Sequence, residues 1–93
     1  MKCRKKPIVI EAYQLTKEEY ESFLNNRTFI SAPDWLAESE NIKISRRKIC
    51  IKTMEGPMIA GVGDYIMRGV EGELYPCNER VFKKTYEVVE DDG

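Results

Sequence analysis

From Asn41 onward, apolar and polar positions alternate with a period of two: Ile42/Ile44, Ile49/Ile51 against Lys48, Cys50 and Lys52, then Met58/Ala60, Tyr65/Met67, Leu74 and Tyr86/Val88. That spacing lines one face of an extended chain and predicts a run of short strands. Reversals fall at Arg46-Arg47, Glu55-Gly56 and Glu71-Gly72, a residue-glycine pair between extended runs being a hairpin signal. Gly63, Gly69 and Gly72 mark sharp turns on either side of the Tyr65/Met67 strand. Pro57 puts the start of its strand at a sheet edge, because proline has no amide proton to give a neighbouring strand. Asn78 is placed to cap a helical turn through Glu79-Arg80-Val81-Phe82, and residues 85–89 are then expected to form a closing strand.

The first half is patterned differently. Residues 7–15, PIVIEAYQL, are β-branched and aromatic enough for a strand, with Ile8, Ile10 and Ala12 on one side and Val9, Tyr13 and Leu15 on the other. Apolar residues on both sides predict a central strand. Thr16-Lys17-Glu18-Glu19 matches a capping box, with Thr16 as N-cap and Glu19 reaching back, and Leu15 and Tyr20 occupy the staple positions. The predicted helix spans 17–25, with Tyr20, Phe23 and Leu24 as its apolar stripe and Asn25-Asn26 at its end. Pro33 and Asp34 predict a second helix of two short turns carrying Trp35 and Leu36, the tryptophan acting as a core plug.

Together these elements define an α+β fold: a small, curved antiparallel sheet or open barrel, with two short helices near the N-terminal half and a helical turn before the last strand. Residues 1–89 are read as one domain and residues 90–93 as an acidic tail. Ninety-three residues leave room for a single modest core.

Fifteen basic residues against sixteen acidic ones give a net charge of −1, so the field of the whole molecule does not recruit nucleic acid or an anionic membrane. No apolar run approaches the ~20 residues that cross a bilayer, and the basic start leads into a strand pattern, so a cytoplasmic protein is expected. Three widely spaced cysteines without a single histidine argue against a disulfide framework or zinc site.

The candidate chemistry is sparse. Cys77, near Asp64 and Glu73, is the one candidate nucleophile, yet the commonest base for activating a thiol is missing from the chain. Asp64, Glu71 and Glu73 follow no known oxygen-ligand spacing, and Asp64 beside Gly63 is better explained by hydrogen bonds to turn amides. Two basic clusters, Lys2/Arg4/Lys5/Lys6 and Lys43/Arg46/Arg47/Lys48/Lys52, form one phosphate-binding patch if the first strand lies near the 42–54 hairpin. Exposed tyrosines would then serve as stacking platforms. Lysines on strand faces more often keep an edge soluble.

The segment GDYIMRGVEGELYPC, with Phe82 and Tyr86-Glu87 after it, resembles a widespread group of small phage and prophage proteins of unassigned function. The likeness extends to the basic start, Lys5-Lys6-Pro7-Ile8-Val9-Ile10-Glu11-Ala12, and to Trp35-Leu36. Val62, in place of a proline or small residue, and Asn78-Glu79-Arg80, in place of Lys-Pro-Asp, depart from that group's pattern. The resemblance implies a virus-encoded accessory protein of the host cytoplasm and implies no activity.

The expectation is therefore a non-enzymatic binding module for a host or viral macromolecule or a small ligand, with neither cofactor nor metal. Arg46, Arg47, Asp64, Tyr65, Tyr75 and Cys77 are its candidate contact residues. Nucleic-acid binding through the basic clusters and a cysteine-dependent enzyme are the alternatives, and an edge strand beginning at Pro57 offers a homodimer seam.

Overall fold

The computed structural model describes residues 1–4 and 6–89; the acidic tail expected at 90–93 and Lys5 of the first basic cluster lie outside the described residues. The chain runs β1 (Glu11–Gln14), α1 (Lys17–Asn26), α2 (Asp34–Ala37), β2 (Ile42–Ser45), β3 (Lys48–Thr53), β4 (Gly56–Ala60), β5 (Tyr65–Arg68), β6 (Leu74–Cys77) and α3 (Glu79–Thr85). The expected α+β class holds. The strands form two three-stranded antiparallel sheets, β1-β5-β6 and β2-β3-β4, and neither closes into a barrel.

The alternation of Ile49 and Ile51 is what joins the sheets. Both side chains are fully buried, in one cluster with Leu15, Leu36, Ala60, Ile66 and Leu74. Complete burial of a leucine or isoleucine is worth about 1.5–3 kcal/mol, so this shared core outweighs any surface contact. Phe23 and Phe29 close one end of it, stacked at 4.4 Å. A smaller cluster of Met67, Cys77 and Phe82 lies on the opposite face of the first sheet.

α1 begins where its capping sequence places it: the Glu19 amide donates to Thr16 Oγ1 at 3.3 Å. Its end differs by one residue. Arg27, not an asparagine, takes the left-handed conformation, with φ 56°. α2 is a single short helical segment, Asp34–Ala37, rather than two turns.

The two-residue loop of the β2–β3 hairpin is Arg46-Arg47, with both φ angles positive at 52° and 62° and Ser45 paired with Lys48. That is the backbone of a type I′ turn, whose twist matches antiparallel strands. Gly63, at φ 89°, lets the 61–64 turn fold back onto Leu15: Leu15 donates to the Asp64 carbonyl and Gly63 to the Leu15 carbonyl, each at 2.7 Å. Pro57 does begin an edge strand, β4, opposite Lys52.

Two expectations are corrected. The first strand is neither long nor central: β1 spans Glu11–Gln14 at a sheet edge. Its partner among the described residues, β5, has four residues, so pairing stops at Glu11 opposite Arg68, where the chain turns away at Gly69. Residues 7–10 overhang without secondary structure. The closing strand at 85–89 is also absent: α3 continues to Thr85, and Tyr86 through Val89 belong to neither helix nor strand. Phe82 and Tyr86 stand four apart, on one face at a helical turn's spacing, and stack at 5.4 Å. That contact, the Tyr65–Phe82 stack at 3.8 Å and the Tyr86 amide on the Phe82 carbonyl at 2.8 Å keep the helix going to Thr85; Tyr86 itself is extended, and no strand pairs with it among the described residues.

Candidate functional site

β1 is the first sheet's terminal strand, so one of its edges faces β5 and, among the described residues, the other faces no strand. An open hollow of about 1070 Å³ lies along it. Ala12 and Tyr13 both line this hollow, although consecutive strand residues point to opposite faces. Pro33 and Trp35 line it from the core side, and Tyr65, Met67 and Phe82 from the side covered by α3. It therefore wraps the edge of the strand. The charged residues among its lining are both acidic, Glu11 and Glu87.

The wall is held by a carboxylate that the capping-box reading assigned elsewhere. Glu19 is 3% exposed and does not reach back to Thr16, whose amide donates to the Gln14 carbonyl at 3.0 Å. Its Oε1 instead accepts the Ile30 amide at 2.6 Å, and its Oε2 accepts the Ser31 amide at 3.3 Å and the Tyr13 hydroxyl. One buried side chain thus ties α1, β1 and the loop that leads to Trp35. Burial, and then the hydrogen bond to Glu19, raise the Tyr13 hydroxyl above its ordinary pKa. No sequence motif marked this role.

The expected contact residues distribute unevenly. Tyr65 lies in the hollow, flat against Phe82. Tyr75 stands opposite Met67 on β6, and its hydroxyl is 3.4 Å from that of Tyr86. Burial first, and the Tyr86 hydroxyl second, push Tyr75 far above the ordinary tyrosine pKa.

Asp64 spends its carboxylate locally: Oδ2 accepts the Gly61 amide at 2.8 Å. Glu71 and Glu73 sit beyond the other end of β5, about 13 Å away along a strand of that length, so the three acids do not converge.

Cys77 stands opposite Tyr65 and is 9% exposed. Its thiol points to the Asn78 carbonyl at 3.7 Å. Burial, and then the Asp64 carboxylate, raise its pKa, which keeps the sulfur protonated and a weak nucleophile near neutrality.

Arg46 and Arg47 are exposed at the hairpin tip of the second sheet. β1 pairs with β5 and not with that hairpin, and Lys2, Arg4 and Lys6 precede β1 and belong to no strand, so the condition for joining the two basic clusters is not met. Among the described residues, no helix is long and apolar enough to cross a membrane.

No protein-family model, curated protein or solved structure matches the chain.

Proposed function

We propose that the protein is a non-enzymatic binding module that takes an extended polypeptide segment along the free edge of β1. The observation that carries this reading is the coincidence of an edge strand without a partner and an apolar hollow that wraps that edge. Such an edge supplies backbone hydrogen bonds to any strand laid beside it, and the pockets on its two faces select alternate side chains. Trp35, Tyr65 and Phe82 are the aromatic groups that an incoming apolar side chain would meet. In an accessory protein of phage or prophage origin, working in the host cytoplasm, the segment belongs to a viral or host protein.

Trp35 is the single tryptophan and lines the hollow, so its emission reports occupancy. Extended peptides with alternating β-branched residues should shift that emission saturably. Ala12→Arg, an exposed substitution on the edge strand, should abolish the response without unfolding the protein. Silent Trp35 emission, together with retention on heparin or single-stranded oligonucleotide, would transfer the function to the basic clusters.

A further inference from the structure

Resting on the reading of β1 as a docking edge, we infer that the segment which occupies it is the N-terminal arm of a second copy of this chain. The arm has the composition of a strand and lacks a strand's partner. Ile8 and Val9 are 55% and 78% exposed, and residues 7–10 continue β1 past the point where β5 ends. Each copy therefore presents an overhang beside an open edge, and a two-fold axis lets each overhang fill the other's edge. An isologous contact of this kind closes on itself and does not propagate into a fibre.

Pairing is restricted by the pleat. In an antiparallel pair, directly opposed residues share a face, so a one-residue slip would exchange the two faces. Centring the axis on Ile10 sets Val9 against Glu11, Ile8 against Ala12, Pro7 against Tyr13 and Lys6 against Gln14 of the second copy. In that register residues 6–9 of each arm cover the four residues of the other copy's β1. It places Ile8, Ile10 and Ala12 of both copies in one stripe on a single face. Moving the axis one residue toward β5 would oppose Glu11 to Glu11, a like-charge pair that costs stability.

The arm is basic, with Lys2, Arg4 and Lys6 exposed, and among the described lining Glu87 is the acidic group left to meet it, since the carboxylate of Glu11 is paired with Arg68 at 3.0 Å.

The test is a full-length double variant, Cys3→Ser with Ile10→Cys. Cys3 is exposed and Cys50 and Cys77 are buried, so the new thiol becomes the accessible one. Opposed residues of an antiparallel pair have Cα atoms about 4.5–5.5 Å apart, within disulfide reach. Mild oxidation should therefore give a covalent dimer, whereas Cys3→Ser with Ile59→Cys, on the exposed β4 edge, should not. Sedimentation should show a concentration-dependent dimer, weakened roughly tenfold or more by the exposed substitution Ile8→Asp.

A dimer that crosslinks through Ile59→Cys and not Ile10→Cys would overturn the assignment. So would a chain that stays monomeric at high concentration while Trp35 responds to added peptides, which would leave the binding-module reading standing with a foreign strand. A monomer whose Trp35 is silent to peptides would sink both.

Discussion

Glu19 and Ile30 meet through a part-buried hydrogen bond of 2.6 Å, carboxylate to amide, across a sequence separation of 11 residues. That contact orients the loop from which Ser31, Pro33 and Trp35 face the edge of β1. A hydrogen bond to a charged acceptor contributes more than a neutral one.

Replacing Glu19 with alanine should therefore destabilise the fold by about 2–4 kcal/mol, because Ile30, Ser31 and Tyr13 all lose their acceptor. Glu19→Gln should cost less, since one carbonyl oxygen remains. Denaturant unfolding followed by Trp35 emission measures both. Equal stability of Glu19→Ala and the native chain would show that the loop is held by packing alone.

The Arg46-Arg47 turn makes the opposite prediction. Both residues hold positive φ, which costs an ordinary residue energy that asparagine and glycine largely avoid. The double substitution Arg46→Asn and Arg47→Gly should raise stability by about 1 kcal/mol, seen as a higher denaturant midpoint with an unchanged slope. The same variant should bind extended peptides normally, because the turn lies in the sheet that does not contain β1.

Thiol reactivity should rank by burial. Cys3 is exposed and should alkylate first at neutral pH, while Cys50 and Cys77 should wait for unfolding. Cys77 carries a raised pKa from burial and from Asp64, so native-state labelling there should accelerate only in alkaline solution. Labelling of Cys77 ahead of Cys3 near pH 7 would restore the case for a thiol enzyme.

Alkaline pH should also weaken the fold, and the sign follows from three groups. Tyr13, Tyr75 and Cys77 all bind their protons more tightly in the folded state than in the unfolded chain. Their stabilising effect is complete below the unfolded values, near 9.0 for cysteine and 10.0 for tyrosine, and is lost as pH rises through the folded ones. The denaturant midpoint should fall progressively above pH 9, with tyrosine ionisation lagging in the native protein. A midpoint independent of pH over that range would contradict the raised pKa values of these two half-buried hydroxyls and one buried thiol.

How much of this was legible in the sequence depended on whether a local signal had a competitor. The Thr16 cap, the glycine turns and the Pro57 edge were readable, because each rests on one residue's own backbone chemistry. Glu19 was misread in part: its position fits a capping box, but the Thr16 amide already has the Gln14 carbonyl as partner. The 85–89 strand failed because Thr85 ends α3, and Tyr86/Val88 is too short a period to identify a partner strand; among the described residues none pairs with 86–89. Asp64 was anticipated as a turn acceptor, and its bond to Gly61 is of that kind. The hollow could not have been found, since it is assembled from the edge of β1, α2 and the end of α3, elements far apart in the chain.

Residues 7–15 are the most instructive case. Apolar positions on both faces predict a central strand, yet β1 is an edge with an exposed overhang. The two observations agree if the overhang and edge are covered by another strand in the working state of the protein.

Hydrogen exchange at the backbone amides of residues 8–14 tests this most directly, compared between dilute protein and protein at high concentration or saturated with an extended peptide. The account predicts that exchange slows at these amides on occupancy, in the alternating pattern of strand pairing, while the β4 edge is unaffected. Unchanged exchange along β1 under every one of these conditions would contradict it.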